Sequence, residues 1–300
     1  MLAAMRTELL ALAALLLASA CASTGPVEAP DALPTLLETE SGRQTDPLAV
    51  AEALAQADVV FLGELHDSAE GHAFQLTLTT LLLGHRPDAV LSLEMFERDV
   101  QDALDLYFAG EISEQTFLSG ARPWGDYERY YRPAVELFRE RGLPVLAANA
   151  PRPLASAVAR EGLSALEGDE FAPREVEAGA GAYRERFDEA MAAHPGASPE
   201  TITRMFQAQC VKDEAMAESI ADHLAQREPE RPLVIHWCGR FHSDHGLGTV
   251  ERLRRRRPDL AIAIVGMLRP GESDGLISGD EREAADWLVL VPPAADAQDD

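Results

Sequence analysis

Short, unbroken apolar runs rich in β-branched residues recur along this chain, and a longer stretch with helical spacing follows most of them. The runs lie at 58–62, 89–93, 144–148, 232–237, 260–267 and 287–291, bounded by Gly, Pro and Asp. A strand that shows no polar alternation needs cover on both faces. Helical patterns occupy 70–83, 98–109, 128–141, 153–160, 200–226 and 247–256. Such alternation predicts an α/β fold, a mostly parallel sheet with helices on both faces. The α/β domain is expected over 47–291. Within it, 168–199 is rich in Glu, Ala and Gly with few large apolar residues, so 168–230 reads as a helical insertion, an excursion or lid beside the sheet. The last residues, 292–300, read as a frayed acidic tail.

Charge narrows the partners. The 300 residues carry 26 basic and 51 acidic side chains, a formal net charge of −25. An acidic surface argues against nucleic acid, which needs clustered Lys and Arg. The basic run at 254–257 reads as a charged helix end.

The first twenty residues differ from the rest. Arg6 precedes an apolar stretch at 9–18, then small residues lead to Cys21, which together describe a signal peptide over 1–20. Ala18-Ser19-Ala20-Cys21 resembles the lipobox of bacterial lipoproteins, in which the cysteine is acylated. Residues 21–46 suit a tether after that anchor, being rich in Pro, Ser, Thr, Gly and Glu. The expected location is the bacterial cell envelope, lipid-anchored in a membrane. Ala22, where an inner-membrane retention Asp would sit, favours the outer one. Cys210 and Cys238 fit no zinc or redox spacing; they either pair or are small buried residues.

In open α/β sheets ligands bind beyond the carboxyl ends of the strands. Four strand ends here carry chemically able residues. The first runs into Gly63-Glu64-Leu65-His66-Asp67, the second into Glu94-Met95-Phe96-Glu97, the third into Asn149-Ala150-Pro151-Arg152. The fourth gives His236-Trp237-Cys238-Gly239-Arg240-Phe241-His242-Ser243-Asp244-His245. Gly63-x-x-His66 and Gly239-x-x-His242 are alike: glycine turns the chain off a strand, and the histidine three residues on points into the crevice. Glu64, His66, Glu94 and His242 therefore make candidate catalytic residues. They also have the composition of a divalent transition-metal centre with one open position. A lone strand-end histidine more often satisfies backbone groups, and it is the coincidence across strands that argues for a site.

A second cluster comprises Arg122, Tyr127, Tyr130, Tyr131 and Arg132. If helical, the three tyrosines share one face, although Pro133 would more comfortably open a helix. Tyr phenolate ligates haem iron and Arg pairs with propionates, so these five are haem candidates. Packing is the reading that composition alone favours.

In their order, these motifs resemble the ChaN-type haem-binding-uptake group of the Tiki superfamily. The resemblance rests on Gly63-Glu64-Leu65-His66-Asp67 with Gln75, and on Ser92-Leu93-Glu94-Met95-Phe96 with Arg98 and Gln101. It extends through Leu104-Asp105-x-Tyr107, Trp124-x-x-Tyr127-x-x-Tyr130-Tyr131-Arg132-Pro133 and Ala147-Ala148-Asn149-Ala150-Pro151-Arg152. Asp213-x-x-Met216-Ala217 and Gly239-Arg240-Phe241-His242-Ser243-Asp244 complete it. Two departures stand out: Gly71 precedes His72 where the family often shows adjacent histidines, and Cys238 replaces a usual Asn. The resemblance implies an envelope lipoprotein that binds haem for iron acquisition. It also implies kinship with metal-dependent peptidases and erythromycin-type esterases. Two functions follow as expectations: haem binding without turnover, or an esterase or peptidase, metal-dependent or metal-free, using Glu64, His66, Glu94 and His242. The haem ligand is left open among the tyrosines and the strand-end histidines. A homodimer holding haem at its interface fits the same residues.

Overall fold

Residues 34–192, 196–269 and 277–292 are described by a computed structural model. The signal peptide, Cys21, the first part of the tether (22–33) and the tail from 293 lie outside them. In chain order the strands are β1 (Thr35–Glu38), β2 (Arg43–Thr45), β3 (Val59–Glu64), β4 (Val90–Glu97), β5 (Val145–Asn149), β6 (Val234–Gly239), β7 (Ile262–Leu268) and β8 (Trp287–Leu290). They form one sheet, ordered β2-β1-β8-β7-β3-β6-β4-β5. Neighbours from β8 to β5 run parallel, and β1 is antiparallel to both β2 and β8. The expected α/β architecture is thus present, with all six expected strands in it.

The helices are α1 (Pro47–Leu54), α2 (Ala69–His85), α3 (Gln101–Phe108), α4 (Glu114–Ala121), α5 (Arg132–Glu140), α6 (Arg152–Glu161), α7 (Ala182–Ala192), α8 (Pro199–Ala225), α9 (Gly248–Arg256) and α10 (Gly279–Arg282). Their starts follow capping chemistry: Asp46, Ser68 and Ser198 each accept a backbone N–H in the first turn, and Pro47 and Pro199 occupy the position where no N–H is needed.

Side chains alternate across the strands, so each strand feeds two cores. Val60 and Leu62 of β3 face Leu54 of α1, Phe74 and Leu78 of α2 and Phe138 of α5. Val59 and Phe61 face the other way, against Ile220 and Leu224 of α8 and Val250 and Leu253 of α9. This is why the central strands read as unbroken apolar runs.

Two expectations need correction. Residues 35–45 were expected to be tether but form the β1–β2 hairpin, because Leu36 is buried and β1 completes the edge left by β8. The helical insertion is also smaller than 168–230. Ala217, Ile220, Ala221 and Leu224 make α8 one of the layers covering the sheet, which leaves α7 and its flanking segments as the excursion. The basic run ends α9 as expected: Arg255 and Arg256 pair with Glu214, and Arg257 with Glu228 and Asp259.

The open edge at β5 is covered by a side chain. Gln101 donates from Nε2 to the Val145 carbonyl at 3.0 Å and accepts the Ala147 N–H at 2.7 Å, so an amide imitates a neighbouring strand. Gln101→Ala leaves both groups without these partners. A loss of about 1–3 kcal/mol is expected in urea unfolding, with an unchanged m-value.

Candidate functional site

Chains leave β3 and β6 toward opposite faces of the sheet, β3 into α2 and β6 toward α9. Because these strands are neighbours, a crevice opens at their carboxyl ends. The two Gly-x-x-His loops meet there and interlock through their glycines. A methyl group on Gly63 would lie 2.6 Å from Ser243 Oγ, and one on Gly239 would lie 2.8 Å from His66 Nε2. Each loop approaches the other where a side chain is absent, and the two histidines flank the crevice.

Glu64 anchors the first half. It is buried at the end of β3 and accepts from His66 Nδ1–H at 2.9 Å, from Gln75 Nε2 at 3.1 Å and from the Tyr131 hydroxyl. A carboxylate only accepts, so in neutral His66 the proton sits on Nδ1 and Nε2 is the nitrogen that carries the lone pair. His66 is 53% exposed, with Trp124 edge-on to its ring at 4.9 Å. The Glu64 hydrogen bond raises the His66 pKa against the opposing effect of burial. His72 is buried behind, stacked on Tyr130 at 4.2 Å.

His242 anchors the second half and is buried. Its Nδ1 lies 2.7 Å from Asp213 Oδ1 of α8 and its Nε2 lies 3.2 Å from Glu94 Oε1. The other Glu94 oxygen accepts the Gly239 N–H at 2.7 Å. Burial alone would depress the His242 pKa, but Glu94 and Asp213 carry it up to about 10. Burial would likewise raise Glu94; the His242 charge and hydrogen bond hold it well below the usual carboxylate range. His236, buried and bonded to Ser92, is pushed down to about 3 by desolvation and stays neutral.

Glu64, His66, Glu94 and His242 do converge, but not as a metal centre. Glu64 is saturated by three donors, and both nitrogens of His242 are held by carboxylates. No group of three or more metal-ligating side chains among the described residues is arranged to hold an ion. What the four offer is one open imidazole, His66, beside a neutralised Glu94–His242 pair.

The Tyr/Arg cluster also departs from expectation. Tyr127–Tyr131 is a single π-helical turn, and α5 starts after it with Pro133 in its first turn. All five tyrosines of the chain are buried. Tyr131 is spent on Glu64, Tyr127 sits in the core, and Tyr130 packs on His72. Arg122 is paired with Glu97 and Asp99, and Arg132 with Glu114. Tyr127, Tyr131 and the two arginines are thus enclosed or paired. Tyr107, the remaining haem-ligand candidate, is buried against Phe117. Cys210 and Cys238 are buried and unpaired.

Asp213, Tyr183 and Thr249 complete the His242 centre without having been singled out from the sequence as site residues. Asp213 gave two usable signals: it opens the Asp213-x-x-Met216-Ala217 motif, and it is an acid on the buried face of α8, close to Cys210, Val211, Ala215 and Met216.

The family model for haem-binding uptake, Tiki superfamily, ChaN matches residues 50–253, more than half of the chain. This chain belongs to that family. The segment matched contains both Gly-x-x-His loops, Glu94, Asp213 and most of α9. Among solved structures, ChaN of Campylobacter jejuni, described with cofacial haem binding, is similar at TM-score 0.64 and 18% identity. That match covers 86% of this chain and 96% of the other, and it supports a common fold. An erythromycin esterase in its open conformation matches at TM-score 0.45 and 12% identity, over 87% of this ChaN-family chain and 82% of its own. A Bacillus cereus protein matches at 0.46 and 11%, over 83% and 92%. No curated protein matches the chain by sequence.

Proposed function

We propose that this ChaN-family protein is an envelope lipoprotein that binds haem for iron acquisition, with His66 as the iron ligand. The observation that carries the reading is the state of His66, half-exposed, anchored through Nδ1 and open at Nε2, in a site whose tyrosines are all buried. A histidine held by a carboxylate through its other nitrogen is a well-oriented, basic ligand. Bound haem would supply the iron centre. Trp124 beside the ring offers an apolar wall, and the 61%-exposed Arg152 at the end of β5 offers a guanidinium to an anionic propionate. Family membership and the fold shared with Campylobacter ChaN support the reading. So does the lipobox at Cys21, which suits an acyl anchor, in the outer membrane by the residue that follows it. The exposure of His66 is compatible with haem shared between two copies.

A haemin titration of the full chain, followed through the Soret band, tests this. A saturable shift that Tyr130→Phe leaves intact is expected; an unchanged spectrum at saturating haemin overturns the proposal. Gly239→Ala gives a sharper check, because its methyl would lie 2.8 Å from His66 Nε2 and push the ring aside. Haemin affinity is expected to fall on the order of tenfold, about 1.4 kcal/mol, with little change in the melting temperature.

A second reading is favoured by the pair beside His66. An open imidazole next to an imidazolium flanked by carboxylates is an acid–base arrangement, with His66 taking a proton from water and the positive charge of His242 nearby. A hydrolase of this type would cleave an ester or peptide. Turnover of any such substrate by the haem-free protein, lost in His66→Ala, would install it; a blank screen removes it.

A further inference from the structure

We infer that Asp213 is a positioning residue of the strand-end site: backed by Tyr183 of the helical excursion, it holds His242 as a fixed imidazolium between two carboxylates. The inference stands whichever chemistry the site performs, since it concerns the charge on His242 and not the ligand of His66.

His242 Nδ1 faces Asp213 Oδ1 at 2.7 Å and Nε2 faces Glu94 Oε1 at 3.2 Å. An ionised carboxylate has no proton to give, so each contact is a hydrogen bond only if the ring nitrogen carries the hydrogen, and a ring bonded on both sides is doubly protonated. Asp213 has no other way to serve. It is fully buried, and every donor it meets points at it: His242 and the Thr249 hydroxyl (2.9 Å) at Oδ1, and the Tyr183 hydroxyl (2.7 Å) at Oδ2. Such saturation holds the carboxylate in one rotamer, and it fixes the imidazole that leans on it.

Charge balance supports the assignment. Glu94 and Asp213 bring two negative charges into a buried region. Arg252 of α9, stacked over Tyr183 at 5.2 Å, is paired with the buried Glu214 at 3.3 Å. Tyr183 stays protonated because burial and the Asp213 charge raise its pKa. His236 is neutral, and His66 faces the crevice. Without a charged His242 neither Glu94 nor Asp213 would have a cation hydrogen-bonded to it, which is costly at this depth.

Two consequences follow. His242 has no lone pair left for a metal or a proton, so the repeated Gly-x-x-His motif yields one working imidazole and one structural cation. The excursion is also part of the site, because Tyr183 of α7 reaches across to Asp213.

Long-range 1H–15N NMR of the full chain labelled with 15N-histidine reads the proton count directly. At pH 8 one histidine, assigned by its loss in His242→Gln, is expected to show both nitrogens protonated. Asp213→Asn keeps an acceptor but removes the charge. It should lower the His242 midpoint by about two pH units or more, a 100-fold weaker hold on the proton. Tyr183→Phe should lower it by a smaller amount, since it removes one donor from Asp213. A neutral His242 in the wild type at pH 8 overturns the inference, as does a midpoint that Asp213→Asn leaves in place. If Asp213→Asn does not fold, an unmoved midpoint in Tyr183→Phe overturns it instead. The raised pKa also sets the pH dependence of stability. The contribution from His242 is complete below its ordinary value near 6.5 and is lost as pH rises toward about 10.

Discussion

His66→Ala abolishes the haemin-induced Soret shift or weakens it on the order of 100-fold, about 2.7 kcal/mol. The large effect is expected because the competing strand-end histidines are occupied or enclosed, the half-buried His245 accepting from Arg186 at 3.2 Å. His242 is held at both nitrogens, His72 and His236 are buried, and the five tyrosines are buried. Glu64→Gln separates the ligand from its anchor, since it keeps an acceptor for Nδ1–H while removing the charge that makes Nε2 basic. A loss smaller than that of His66→Ala is expected. The proton competes for the same lone pair, and the Glu64 contact raises the His66 pKa. Haemin affinity should therefore fall as pH drops through the range where His66 charges. An affinity in His66→Ala equal to that of the wild type would move the iron elsewhere and end this assignment.

Gly248→Ala destabilises the protein by about 3 kcal/mol and unseats His242, lowering the melting temperature by roughly 6–12 °C for a domain of this size. Two physical terms add. Gly248 opens α9 at φ +55°, a conformation that disfavours a side chain. Its added methyl would also stand 2.6 Å from the His242 carbonyl oxygen and 3.0 Å from Asp213 Oδ1, so backbone would have to move. Gly110 separates the two terms, because it lies at φ +73° with nothing within 4 Å of its would-be methyl. Gly110→Ala should cost about 1 kcal/mol. Equal losses in the two variants would mean that the contact with the His242 loop contributes nothing. The NMR signal of His242 should change in Gly248→Ala alone.

Legibility in the sequence followed the physics of each element. The six central strands and the helices α2, α3, α5, α6, α8 and α9 announced themselves because burial on both sheet faces or one helix face imposes a periodic pattern on many residues. The strands β1 and β2 span four and three residues, too short for any period to emerge, and Leu36 counts as core only because β8 supplies its neighbour. The helices α1 and α4 went unread although α3, equally eight residues long, did not. At the site, Glu64, His66, Glu94 and His242 were legible because glycine-led strand ends concentrate polar residues where the fold binds ligands.

By itself, then, the sequence determined the α/β architecture, the end of the sheet that carries chemistry and the four residues at its centre, since each depends on local pattern and spacing. The tertiary structure decided their roles. Asp213 from α8 reaches His242 across 29 positions of chain, Tyr183 from α7 reaches Asp213 across 30, and Tyr131 reaches Glu64 across 67. Whether an imidazole is an open ligand or a buried cation depends on which carboxylates surround it, and contacts at that separation leave no trace in local spacing.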